Sequence, residues 1–310
     1  MSHEPIVSSF LDERVSVAYD SAVADRIFDG YRAACDRPVT LRANTLKATA
    51  SDVAAALEDA GIAFEMVSWY GDAFVLADGV RERAVWDLDI YQQGGVYLQS
   101  LSSMMPPLVL EPYRGADILD MCAAPGGKTS QIAALSGGAA HITACEMNGP
   151  RAEKLTYNLE KLGARNVQVM RTDARRLDEF FSFDQILLDA PCTGSGTACA
   201  GDERAAKRIT EALLKKATRS QHALLDRALT VLKPGGTLIY STCSIFPEEN
   251  EEQVATALKR HRDCEVKPVD TLAFDGADAP DILPGRIEGT RTIRPSRLYE
   301  GFFIAKIVKN

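Results

Sequence analysis

The chain has 310 residues and a formal charge of -8, with 46% hydrophobic and 25% charged residues. That length predicts two domains, or one large domain with an extension, and the composition is that of an ordinary globular protein rather than a disordered one. No run of about 18 apolar residues is present, which excludes a membrane-spanning helix, and the acidic balance means that any nucleic-acid site must be a local patch.

The first 15 residues carry neither a basic region nor an apolar stretch, so they do not read as a secretory signal, and the cytoplasm is the expected location. Helical periodicity runs over 10–35, followed by a strand at 39–43 and a helix at 51–60 that Gly61 ends. Short strands are expected at 63–68 and 73–76, so residues 1–114 read as a small α+β module. Pro106-Pro107 and the stretch 111–115 mark the junction.

Residues 115–310 form the second domain. Strands are predicted at 117–121, 141–146, 167–171, 183–188 and 237–241, alternating with helices at 128–135, 151–162 and 205–232. A helix at 249–261 and a strand at 301–308 complete the chain. This order predicts a doubly wound α/β fold whose mostly parallel sheet carries helices on both faces. Ligands of such sheets lie beyond the carboxyl ends of the strands, so the residues just after each strand hold the functional signal.

The first of these strands runs into Cys122, Ala123, Ala124, Pro125, Gly126, Gly127 and Lys128, which open a helix. Small residues let the backbone approach a ligand closely, and a helix start offers free N–H groups. A phosphate-binding P-loop needs Gly where this chain has Cys122, and a dinucleotide loop needs Gly where it has Ala124, so both fail. Alone, the loop would equally suit a tight turn. Glu146 ends the next strand about 20 residues on, Asp173 follows the third and Asp189 ends the fourth. Together they outline a pocket for a nucleoside cofactor without a pyrophosphate. S-adenosylmethionine fits: its ribose and adenine want acceptors, and its ammonium and sulfonium want negative surroundings.

Seven cysteines, Cys35, Cys122, Cys145, Cys192, Cys199, Cys243 and Cys264, are an odd, scattered set. They argue against a disulfide framework, and without a C-x2-C pair or a nearby His no metal is expected. Cys192 and Cys243 stand apart because each follows a strand that ends beside the cofactor loop. Two thiols at the rim of a methyl-donor pocket suggest nucleophilic chemistry. Cytosine C5 is a poor nucleophile until a thiolate adds at C6, after which C5 is enamine-like. A carboxyl such as Asp189 is placed to supply a proton to N3, and a second thiol can assist elimination.

These residues resemble the RsmB/Nop/Sun family of RNA cytosine-C5 methyltransferases. The resemblance runs through 41–47, 97–104 and 301–305. Its most specific marks are 120–128, Asp189-Ala190-Pro191-Cys192, and Ser241-Thr242-Cys243-Ser244 followed by Glu249-Asn250-Glu251. It implies a class I, Rossmann-like methyltransferase domain, with Cys243 as the nucleophile and Cys192 as the thiol that helps release product. It further implies that Asp189 and Lys128 contact the cytosine and the reaction centre. Residues 122–128, Glu146, Asp173 and Asp189 would line the cofactor site, Cys122 without a catalytic part. The stretch 197–202 departs from the family's basic, proline-containing pattern, and no appended RNA-binding domain is expected after Asn310.

RNA is the expected partner, ribosomal before transfer RNA, with the protein acting as a monomer and away from membranes. A non-catalytic RNA-binding assembly factor is the alternative from another class. Candidate RNA contacts are a helical cluster of Lys207, Arg208, Lys215, Lys216 and Arg219, the loop arginines Arg286, Arg291, Arg294 and Arg297, and Arg42 with Asn44 in the first module. The target base must be single-stranded or flipped out.

Overall fold

The computed structural model describes residues 5–270 and 274–310, so the first four residues of the N-terminal stretch lie outside it. Two helices, α1 (Ser9–Ala18) and α2 (Ser21–Ala33), stand where one was predicted. The break is a cap: the Asp20 carboxylate accepts the Val23 N–H and starts the second helix. Their apolar faces pack on Ala198, Ile245 and Phe246, behind the two cysteine segments. Tyr19 donates to the Ile245 carbonyl at 2.7 Å and Tyr31 to the Ser195 carbonyl at 2.9 Å.

A small unit follows, made of β1 (Thr40–Ala43), α3 (Ala50–Asp59), β2 (Phe64–Val67), β3 (Tyr70–Leu76), the short α4 (Glu82–Trp86) and α5 (Asp89–Gln92), and β4 (Val96–Leu98). Its antiparallel sheet runs β2-β3-β1-β4. Pro106 and Pro107, read as marking a junction, lie buried inside α6 (Leu101–Leu110). Pro107 has no N–H for the Ser103 carbonyl, and the Gln99 amide donates to that oxygen at 2.9 Å instead.

The larger sheet contains β5 (Asp117–Asp120), β6 (His141–Cys145), β7 (Val167–Met170), β8 (Phe183–Asp189) and β9 (Leu232–Thr242), paired in parallel in the order β7-β6-β5-β8-β9. Between them come α7 (Gly127–Leu135), α8 (Gly149–Leu162), α9 (Glu203–Arg208) and α10 (Glu211–Val231). Thr210, capping Leu213 N–H, divides α9 from α10, where one long helix was expected. After α11 (Glu251–Arg260), the strands β10 (Cys264–Lys267), β11 (Ile282–Leu283), β12 (Arg291–Ile293) and β13 (Phe302–Lys309) extend the sheet antiparallel beyond β9. The doubly wound, Rossmann-like expectation therefore holds. Strand order reverses between β5 and β8, the switch point where such sheets open a crevice.

Arg42 and Asn44, read as RNA contacts, are fully buried between the small sheet and the larger unit. Arg42 donates to Gln99 Oε1 (2.9 Å), the Gly127 carbonyl (2.9 Å) and Ser130 Oγ (2.7 Å), and its guanidinium lies over the Tyr97 ring. Burial lowers its pKa to about 10, which leaves it charged at neutral pH. Asn44 donates to the carbonyls of Gly94 and Leu162. Both bolt the units together. Arg294 pairs with Asp281 at 2.7 Å, Arg297 with Asp78, and Arg286 donates to the Ala18 carbonyl at 2.6 Å, so these loop arginines also bind the chain to itself.

Arg42→Ala removes three buried hydrogen bonds and lowers unfolding free energy by about 3 kcal/mol in a urea titration. A loss under about 1 kcal/mol contradicts the bolt.

Candidate active site

Parallel pairing of β8 with β9 sets Asp189 opposite Ser241, so the segments that follow leave the sheet side by side. They bring Cys192 Sγ to 3.1 Å from Cys243 Sγ, both as free thiols. The Gly196 N–H donates to the Cys243 carbonyl at 3.0 Å, and the hydroxyls of Ser195 and Ser244 meet at 2.8 Å, locking one segment to the other. The hydrogen bond with Cys243, together with burial, pushes the Cys192 thiol well above its usual range. Cys192 is therefore held as a neutral thiol.

Asp189 is held from two sides. Lys128 Nζ donates to Oδ2 at 2.8 Å and Ser241 Oγ to Oδ1 at 2.8 Å. Lys128 also donates to Ser103 Oγ at 2.6 Å and stands 5.5 Å from the centre of the Phe302 ring. Burial alone would lower the Lys128 ammonium, but the charge and hydrogen bond of Asp189 outweigh it and the net shift is upward. Lys128 therefore stays protonated at neutral pH.

Two cavities open at the carboxyl edge. The smaller, about 270 Å³, is bordered by Cys122, Ala124, Glu146, Asp173, Asp189, Cys192 and Cys243. The larger, about 550 Å³, runs between the small sheet and the central one and is bordered by Arg37, Tyr97, Ser103, Lys128, Asp189 and Cys243. Asp189 and Cys243 face both. Of the loop residues expected around a cofactor, Ala123, Pro125, Gly127 and Lys128 border the larger cavity, and Gly126 borders neither. Gly126 makes the turn at φ 107°, and a Cβ on Gly127 would meet the Tyr97 ring at 2.7 Å.

The smaller cavity suits S-adenosylmethionine. Glu146, buried at the end of β6, accepts from the Asn148 N–H at 2.8 Å and pairs with Arg151 at 3.2 Å. Lone pairs remain free for a ribose diol. Hydrogen bonds from Arg175 hold the Asp173 carboxyl below the usual range, which keeps it an acceptor for an amino group. Burial first, then the charges of Asp120, Asp189 and Glu146, push the Cys122 thiol well up. Ser103 and Ser241 were not singled out from sequence as site residues, although each stands inside a stretch that carried the resemblance. Arg151 and Arg175 left no signal there.

A sequence model of the 16S rRNA methyltransferase RsmB/F matches residues 107–308. The chain belongs to this family. A second model, the ferredoxin-like domain of RsmF/B-like methyltransferases, matches residues 11–81. The chain is 34% identical to ribosomal RNA small subunit methyltransferase F of Serratia proteamaculans over 93% of its length, and 36% identical to that of Shewanella loihica over 91%. It covers 60% and 59% of those relatives, so it spans about three fifths of their length. Among solved structures, a methyltransferase homolog from Pyrococcus horikoshii superposes with a TM-score of 0.77 at 35% identity, covering 97% of this chain and 98% of the other. NSun6 from the same organism, solved with SFG, shares the fold at a TM-score of 0.82 and 23% identity, covering 98% of each chain. S-adenosylmethionine is the cofactor of the RsmB/F family.

Asp120, buried beneath the loop, accepts from Thr129 Oγ1 at 2.7 Å, and burial raises its pKa to about 6. A carboxyl raised from 3.8 to about 6 favours the fold below pH 4 and loses that contribution as pH climbs to 6, about 3 kcal/mol in all. Asp120→Asn therefore gains stability relative to the parent as pH rises from 4 to 7 in parallel urea titrations. A constant difference across that range rules the shift out.

Proposed function

We propose that the chain is an S-adenosylmethionine-dependent cytosine-C5 methyltransferase acting on small-subunit ribosomal RNA through a covalent adduct between Cys243 and C6. The observation that carries this reading is that Cys243 borders both cavities while Cys192 borders only the smaller. A base entering from the larger cavity meets Cys243 Sγ at the wall shared with the cofactor pocket. The family match and the small-subunit relatives support the RNA class.

Bound S-adenosylmethionine supplies the electrophilic methyl group. Cys243, as thiolate, adds to C6 and makes C5 nucleophilic. Lys128 carries the proton available to the pyrimidine edge, and Asp189, fixed by Ser241, orients that ammonium. This moves the proton donor from Asp189, as read in the sequence, to its partner. After methyl transfer the pyrimidine edge returns its proton to Lys128, water takes the C5 proton, and the C6–S bond breaks, returning the pair of electrons to Cys243. Cys192, 3.1 Å away and still protonated, assists that release by hydrogen bonding to the departing sulfur. Residues 1–114 form the module that lays RNA across the larger cavity, with Arg37 and Tyr97 on its wall, and residues 115–310 the catalytic domain.

With tritiated S-adenosylmethionine and unmodified small-subunit rRNA, Cys243→Ala transfers no methyl group, at least about 10³-fold below the parent. Cys192→Ala leaves a protein–RNA adduct that survives a denaturing gel. An adduct from the Cys243 variant and none from the Cys192 variant reverses the two assignments. RNA binding without transfer by the parent protein favours an assembly factor.

A further inference from the structure

Glu249 and Asn250 mark the family resemblance, yet they border neither cavity and have no part in the chemistry above. Both are fully buried. Glu249 Oε1 accepts the Thr193 N–H at 2.8 Å and Oε2 the Thr193 hydroxyl at 2.6 Å, and Gln221 donates to Oε1 at 3.2 Å. Asn250 Oδ1 accepts the Thr242 hydroxyl at 2.5 Å, and its Nδ2 donates to the Ser244 carbonyl at 2.9 Å. Thr193 follows Cys192, whereas Thr242 and Ser244 flank Cys243. Glu249 thus grips chiefly the Cys192 segment through Thr193, with Ser244 of the other segment also beside its carboxylate, and Asn250 grips the Cys243 segment. Tyr240 OH, donating to the Glu249 carbonyl at 2.5 Å, fixes the pair to β9.

Stability alone is a poor reason for such a carboxylate. Burial raises the Glu249 pKa, and among the described residues no basic side chain pairs with it. Apolar packing would hold a loop at lower cost in desolvation. What three directed hydrogen bonds add is a fixed position for the Cys192 backbone.

We propose that Glu249 and Asn250 are positioning residues with divided tasks, Glu249 holding Cys192 for release of the methylated base and Asn250 holding Cys243 for attack. The division rests on the cysteine roles proposed above. Displacing a reacting group by about 1 Å costs on the order of 10²-fold in rate. Each variant therefore stalls the cycle at a different point.

The test uses the full chain with unmodified small-subunit rRNA and S-adenosylmethionine, reading turnover and the fraction of protein covalently held on RNA in a denaturing gel. Glu249→Gln lowers turnover about 10²-fold and raises the covalent fraction toward that of Cys192→Ala. Asn250→Ala lowers turnover to a similar degree and forms no adduct. Thr193→Val removes one donor, keeps the carboxylate, and gives the Glu249 pattern even where Glu249→Gln does not fold. A covalent fraction that stays in the parent's proportion to turnover in the Glu249 and Thr193 variants means a purely structural role and overturns the proposal. So does an equal loss of adduct in all three. An absent adduct in the Cys192→Ala control overturns the covalent mechanism itself, a failure separate from that of the division.

Discussion

Parallel strands deliver their carboxyl ends to one edge, and here the register of β8 on β9 places Asp189 beside Ser241 and sends both cysteine segments out together. The sheet ladder brings two sulfurs to 3.1 Å from positions 51 residues apart in sequence. The segments are then tied to each other and braced from behind by α1 and α2. A shift of one residue in that pairing would turn alternate side chains to the opposite face and separate the thiols.

Both cavities at this edge carry charges of both signs: Glu146, Asp173 and Asp189 with Arg151 and Arg175 around the smaller, and Asp120, Asp189 and Glu300 with Arg37 and Lys128 around the larger. The Lys128–Asp189 pair stands at the boundary, so one ion pair faces both reactants. Asp189 of β8 is anchored by Ser241 from β9 and Lys128 of α7 by Ser103 from α6, which makes the pair dependent on four separate elements.

Much of this was legible in the sequence because the parallel strands are short apolar runs, each followed by its functional residue. Cys192, Cys243, Lys128 and Asp189 could be named because their motifs stand directly after β5, β8 and β9. What stayed hidden depends on contacts between distant segments. Asp20 and Thr210 sit inside helically periodic stretches, and only their capping bonds reveal two breaks. Pro106-Pro107 reads as a break in the chain, and a sequence does not show that Gln99 takes up the carbonyl that Pro107 leaves open inside α6. Arg42 looked like a phosphate ligand because a sequence does not show that Gly127 and Ser130 face it across a module boundary.

The most direct measurement is to trap the reaction on RNA carrying 5-fluorocytidine, whose C5–F bond does not release as a proton would, and to locate the cross-link by peptide mass spectrometry. The account predicts a pyrimidine bonded to Cys243 through C6, formed only when S-adenosylmethionine is present to methylate C5 and lock the adduct. A cross-link on Cys192, or methyl transfer to ordinary RNA with no cross-link to either sulfur, would contradict it.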